Sequence, residues 1–311
     1  MQADVLRETN FSWLGKKHKG KVRDVYEQDD RLILITTDRM TGFDRLLAYI
    51  PWKGQVLNQI SAFWFEQTKD IIPNHVIAVP DPNVTVGKKC KPIRVEGVVR
   101  GYLTGVTDTA IWTRYSRGSR VFGGVQLPGG MKKNQKLPQA IFDPTTKEDV
   151  HDRVLTKDEM IAEGFITKEL FEQVEQKTLA LFARGQELAA QRGLILVDTK
   201  YEFGLDGETL TLIDEIHTPD SSRYWYLESY EKRFAEGKEP EYFDKEFLRL
   251  WFKEHSDPYK DEKLPDAPPE LVEELSRRYI KMYEQIIGTT FVPGEQPALL
   301  RIEKSLTSYA L

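Results

Sequence analysis

The sequence predicts a mixed α+β fold, and three observations carry that expectation. Short apolar, β-rich runs recur, as at 31–37 (RLILITT) and 93–103 (IRVEGVVRGYL). Elsewhere apolar residues return at helical spacing, as over 167–192 and 268–287. The chain has 311 residues, room for roughly two domains at about 150 residues each.

Taken in order, residues 15–23 read as a short strand and a Gly-Lys-rich turn. Residues 31–37 form a strand, and 38–44 a polar turn. Over 55–65, Val56, Ile60, Phe63 and Trp64 fall on one side at helical spacing. Prolines break 71–82 into a loop with at most one edge strand. After the 93–103 strand, 105–146 is rich in Gly, Pro, Lys and Thr and lacks periodicity, so it is expected to form long loops over a site. Thr167 is placed to cap a helix bearing Leu170, Val174, Leu179, Leu181 and Leu188, which ends at Gly193. Strands at 194–203 and 209–216 then make a hairpin about Asp206–Gly207. From Tyr226 onward the chain is charged and helical in flavour, and 268–287 is an amphipathic helix opening on proline.

Composition bounds the function. The hydrophobic share is 40% and the charged share 30%, ordinary for a globular chain. A net charge of -5 speaks against nonspecific nucleic-acid binding, which depends on Lys and Arg. The single cysteine, Cys90, allows no intrachain disulfide, which suits a cytoplasmic setting. Residues 1–10 lack the apolar run of a signal peptide, and no apolar stretch approaches the ~18 residues of a membrane span.

Several segments carry chemistry. Residues 15–22 (GKKHKGKV) nearly spell a P-loop, but Val22 stands where the hydroxyl belongs and the following residues look like strand. A Walker-type fold is therefore rejected. Two uses remain: a hairpin turning at Gly20, with Lys19, Lys21 and Arg23 over a polyphosphate, or a solvated basic turn. In 197–203, alternation puts Asp198, Lys200 and Glu202 on one face and Val197, Thr199, Tyr201 and Phe203 on the other. The returning strand ends in Asp214–Glu215. Glu202 and Asp214 then meet near the hairpin end as hard oxygen ligands suited to Mg²⁺; the alternative is an exposed charged face. Arg100, closing an apolar strand, is either a surface residue or an anion ligand acting with Arg223. The five histidines show no i, i+4 spacing, and no G-x-S-x-G occurs, so a zinc site and a serine hydrolase are both disfavoured.

These segments resemble a known family. Residues 96–105 (EGVVRGYLTG), 197–204 (VDTKYEFG) and 213–223 (IDEIHTPDSSR) are similar to the SAICAR synthetases of purine biosynthesis. So are 20–26 (GKVRDVY), 38–44 (DRMTGFD) and 135–142 (QKLPQAIF). The match covers most of 15–225 in order, and the chain length is similar to the longer, yeast-like branch. The resemblance implies a fold related to ATP-grasp enzymes, with mostly antiparallel sheets and nucleotide between two domains. The expected division is a β-rich 1–105 with a phosphate-covering hairpin, an ATP-grasp-like 106–223 with the metal hairpin, and a helical extension at 224–311 packed on the body.

It also implies an ATP-dependent ligase joining L-aspartate to a carboxyaminoimidazole ribonucleotide, acting as monomer or homodimer on small molecules alone. By motif, Lys19, Gly20, Lys21, Arg23 and Lys147 would hold ATP, with Glu202 and Asp214 carrying Mg²⁺ beside it. Arg100 and Arg223 would hold the ribonucleotide phosphate, and Asp38, Arg39, Thr104, Asp220, Ser221 and Ser222 would contact substrate. Asp198 and Lys200 would lie between the substrates as catalytic residues, Asp198 as general base. Two positions depart from the family. Val106 stands for its Ser after Thr-Gly, and its His-Asp-Glu-Asn run reads His151–Asp152–Arg153–Val154. These departures keep open another ATP-dependent ligase, or a small-molecule kinase, on the same scaffold.

Overall fold

The computed structural model describes residues 4–43, 45–147, 153–242 and 246–311; Asp44, His151 and Asp152, named above, lie outside them. The chain divides into two units. The first takes Met1–Phe65, Val76–Lys89 and Phe243–Leu311, and the second Glu66–His75 and Cys90–Tyr242.

The first unit is built on a five-stranded sheet in the order Lys16–Lys19, Arg23–Glu27, Arg31–Thr36, Val84–Lys88, Val76–Asp81, with antiparallel neighbours throughout. The proline-broken stretch supplies the edge strand, where Pro80 removes no ladder hydrogen bond that the sheet needs. Alternation sends Tyr26, Ile33, Ile35, Val84 and Val86 to one face. There they pack with Leu6, Phe11 and Leu14, and with Ile302 and Leu306 of the helix Ala298–Leu306. The helix Lys53–Gln67 buries Val56, Leu57, Ile60 and Trp64. It lies against backbone at Gly54, where an added Cβ would stand 2.3 Å from Thr36 O. Asn58 fixes it further, donating to Pro82 O at 3.1 Å and accepting from Thr85 Oγ1 at 2.9 Å. The helix Pro269–Ile287 buries Leu275, Tyr279, Met282 and Ile286, and its Ser276 donates to Pro51 O at 2.8 Å. The C-terminal residues thus complete the first unit's core.

The second unit holds a seven-stranded sheet centred on Leu194–Asp206. The first part of that strand lies between Val95–Tyr102 and Ser222–Tyr226; its far end pairs with Thr209–Ile213 and Lys91–Pro92. Lys136–Phe142 and Thr145–Thr146 pair with the outer side of Val95–Tyr102. The helix Lys168–Gln191 covers one face, with Thr167 capping Leu170 N at 3.3 Å. Its buried stripe is Phe171, Val174, Thr178, Leu181, Phe182, Gly185 and Ala189. Leu170, Leu179 and Leu188, expected on that stripe, are half-buried on its flanks.

Three expectations need correction. Residues 38–44 are not simply a polar turn: Arg39–Gly42 is a strand paired antiparallel with Arg45–Tyr49. Residues 105–146 are not long loops. They hold the helix Ile111–Ser116, a hairpin of Val121–Phe122 with Val125–Gln126, and the strand Lys136–Phe142. These surround a cluster of Leu103, Ile111, Tyr115, Phe122, Leu127, Met131, Leu137 and Ile141. Elements of two to seven residues are too short to show either period. The strand expected to run to Ile216 stops at Ile213, because Asp214 turns the chain with φ +68°. Among the described residues no helix is long and apolar enough to cross a membrane.

Candidate active site

The charged face of the second unit's sheet owes its direction to a β-bulge. Between Leu196 and Asp198 the pairing with Ser222–Tyr226 shifts register. Before the shift, Leu196 lies against Gly185 of the covering helix; beyond it, Tyr201 reaches His217, which approaches the same glycine. Asp198, Lys200 and Glu202 therefore emerge on the face turned away from that helix. Val197 does not share a face with Tyr201 as alternation alone predicts; it joins Tyr102, Ile195, Trp225 and Tyr230.

Arg100, Asp198 and Arg223 stand in register across three adjacent strands. The Arg223 Nε lies 3.4 Å from Asp198 Oδ1. Arg100 donates from Nε to Asp143 Oδ2 at 2.7 Å, and Arg114 donates to the same oxygen. Asp143 and Arg100 are buried, so this carboxylate holds two guanidinium groups in place with little solvent between them. Gly105, at φ +99°, lets the Arg223 guanidinium close over the turn; an added Cβ would lie 2.9 Å from it. Thr104 donates to Asn134 Oδ1 at 2.7 Å. Asp198 Oδ2 is buried and, among the described residues, accepts no hydrogen bond.

Further along the strand, Lys200 Nζ lies 2.9 Å from Glu96 Oε1 and 3.6 Å from Glu202 Oε1, while Lys147 pairs with Glu202 Oε2. Burial raises the Glu202 pKa and repulsion from Asp214 adds to this, against the pull of Lys147 and Lys200. Burial works against the Lys200 ammonium, yet Glu96, Glu202 and Asp214 outweigh it and hold its pKa above the usual value. Glu202 and Asp214 are thus close enough to repel, with Lys147 and Lys200 at Glu202; among the described residues no group of three or more His, Cys, Asp or Glu side chains gathers to hold a metal ion.

The 217–223 turn is tightly bonded. Thr218 Oγ1 accepts from Asp220 N and Ser221 N, each at 3.2 Å, and Ser222 Oγ donates to Thr199 Oγ1 at 2.7 Å. Ser222 Oγ is thereby tied to Thr199, whose side chain leaves the strand on the face opposite Asp198, while Asp220 and Ser221 are held within the turn. Glu96, Asp143 and Arg114 were not singled out from the sequence. Glu96 shares strand parity with Arg100 in EGVVRG, a signal that was available; nothing in sequence joins Arg114 to Asp143.

In the first unit, Lys19, Gly20 and Lys21 are exposed at the turn, and Gly20 N donates to Arg23 O at 2.8 Å. Lys19 pairs with Glu8 at 2.6 Å. Asp38 and Arg39 are buried. Asp38 accepts from Leu6 N at 2.8 Å and Gly54 N at 2.9 Å; burial pushes its pKa up to about 6 against those two bonds.

The SAICAR synthetase family model matches residues 16–265. The chain belongs to the SAICAR synthetase family. Among the family's members, the phosphoribosylaminoimidazole-succinocarboxamide synthase of Legionella pneumophila (strain Lens) is 56% identical over 293 residues, 94% of each chain. The chloroplastic enzyme of that name from Arabidopsis thaliana is 52% identical over 316 residues, covering 99% of this chain and 77% of the relative. The SAICAR synthase structure from Saccharomyces cerevisiae, in complex with SAICAR, superposes with a TM-score of 0.80 at 28% identity, over 93% of this chain and 100% of that one. The two departures from the family motifs find surface positions. Val106 is exposed, and Arg153 pairs with Glu163 at 2.7 Å with its guanidinium over the Phe165 ring.

Proposed function

We propose that this protein uses ATP to join L-aspartate to the carboxylate of 5-amino-1-(5-phosphoribosyl)imidazole-4-carboxylate, giving SAICAR, ADP and phosphate in purine biosynthesis. The observation that carries the reading is the row Arg100–Asp198–Arg223, continued by Lys200 and Glu202 on one face of one sheet. It offers cations for a phosphate monoester beside a buried carboxylate oxygen with acceptor capacity to spare.

A carboxylate is a poor electrophile, so it must first be activated. One of its oxygens attacks the γ-phosphorus, the bond to ADP breaks, and an acyl phosphate forms. The aspartate nitrogen then attacks the acyl carbon, gives up a proton, and phosphate leaves. Arg100 and Arg223 hold the ribonucleotide phosphate, and Asp143 keeps Arg100 aimed. Asp198 Oδ2 takes the proton of the attacking amine. Lys19, Gly20, Lys21, Arg23 and Lys147 bind ATP phosphates, and Lys200 stabilises charge on the transferred group. Thr104, Asp220, Ser221 and Ser222 orient the substrates. Asp38 and Arg39, expected there as well, are buried and bonded to protein groups instead, and take no substrate contact in this reading. Glu202 and Asp214 would hold Mg²⁺, which when bound neutralises phosphate charge. The setting we propose is the cytoplasm.

The test is a coupled ADP-release assay from which ribonucleotide, L-aspartate and Mg²⁺ are left out in turn. ADP release that needs all three supports the reading. Full release without L-aspartate identifies a kinase instead.

A further inference from the structure

The turn at 20–22 is held from one side, carbonyl by carbonyl. Arg39 donates from Nη2 to Gly20 O at 3.2 Å and from Nε to Lys21 O at 3.2 Å. Thr37 donates to Val22 O from its backbone N at 3.0 Å and from Oγ1 at 2.5 Å. The Arg39 guanidinium also donates to Arg7 O at 2.9 Å and to Asp24 Oδ1 at 2.8 Å. Arg39 is 4% exposed and Asp24 0%, so the charge is balanced inside the protein, and four of the five guanidinium N–H donors are spent on protein oxygens.

This has a geometric consequence. A trans peptide directs its N–H opposite to its C=O. Among the described residues the cis peptide is Gln296–Pro297, so the peptides of the turn are trans. With the carbonyls of Gly20 and Lys21 fixed on the guanidinium, the N–H groups of Lys21 and Val22 point away from it. Two successive N–H groups leaving a turn on one side form a concavity for an anion. The exposed side chains of Lys19 and Lys21 stand at the same turn.

We infer that Arg39 is a positioning residue that sets the peptide planes of the 20–22 turn, so that its amides and lysines present one anion-binding surface to the phosphates of ATP. The inference rests on the reading of this turn as the phosphate cover, and it has Arg39 acting through the turn without touching substrate. Arginine is needed because its planar fork reaches two successive carbonyls, which a lysine ammonium cannot reproduce.

Arg39→Lys keeps a charge for Asp24 and loses the fork. The expected result is a KM for ATP raised about tenfold, with kcat and the KM values for ribonucleotide and L-aspartate within about twofold. Amide hydrogen exchange at residues 20–23 should quicken while the strand Arg31–Thr36 keeps its protection. Thr37→Val, which removes the hydroxyl's bond to Val22 O and the longer one it accepts from Arg39 N at 3.4 Å, should shift the same quantities the same way by less, and it serves if Arg39→Lys does not fold. Unchanged exchange at the turn, or a rise confined to the ribonucleotide KM, overturns the inference. Lys21→Ala separates the two claims. If it raises the ATP KM while Arg39→Lys and Thr37→Val leave it alone, the positioning role is wrong; if Lys21→Ala also leaves it alone, the turn is not the phosphate cover.

Discussion

At the scale of single residues, Asp198 and His217 make the sharpest commitments. Asp198→Asn keeps the size of the side chain and removes the carboxylate that we propose accepts the amine proton, so turnover should fall by roughly 10²–10⁴-fold with ATP binding retained. Single-turnover measurements check this, and unchanged turnover removes the role. His217 is buried against Tyr201, whose hydroxyl lies 2.5 Å from its Nε2, and burial lowers its pKa to about 3 from 6.5. Below pH 6.5 the unfolded chain therefore takes up a proton that the folded protein refuses. The neutral ring's contribution is whole above about 6.5 and is lost as pH falls toward about 3. Denaturant titrations across that window should show stability falling with pH, and His217→Asn should flatten the slope. Asparagine tolerates the left-handed backbone at His217, φ +52°. The charged residues of this site were legible because strand parity alone assigns Asp198, Lys200 and Glu202 to one face. Asp143 and Arg114 were not, since no periodicity links a short helix to a distant strand end. The buried placement of Arg39 was hidden too, because a motif names a residue without saying which way its side chain points.

At the scale of elements, long regular segments were readable and short ones were not. Lys168–Gln191 showed its cap, its period and its stop. Residues 105–146 showed nothing, because their cluster is assembled from Leu103, Tyr115, Leu127 and Ile141, each on a different short piece. The β-bulge at Leu196–Asp198 was likewise invisible, although it decides where Val197 points. Close contact is the other feature that patterns miss. At Gly54 the obstacle to a side chain is the Thr36 carbonyl, which belongs to a strand and cannot rotate aside. Gly54→Ala should push the helix Lys53–Gln67 off the sheet and cost about 1–3 kcal/mol in urea denaturation. Wild-type stability in that variant would mean that helix and strand are not in contact there.

At the scale of the whole molecule, the chain opens its first unit, builds the second, and returns to finish the first. The family match stops at 265, yet Ile302 and Leu306 lie beyond it in the core, fully buried. Ile302→Ala should cost about 2–5 kcal/mol, read as an earlier midpoint in urea. A smaller loss would show the last helix to be an appendage. This return path has a consequence for synthesis. On the ribosome, residues 90–242 emerge as one nearly contiguous stretch and can collapse at once. The strands that precede them wait with an apolar face uncovered until the final turns of chain leave the tunnel. A nascent polypeptide halted short of that point is therefore open to proteases.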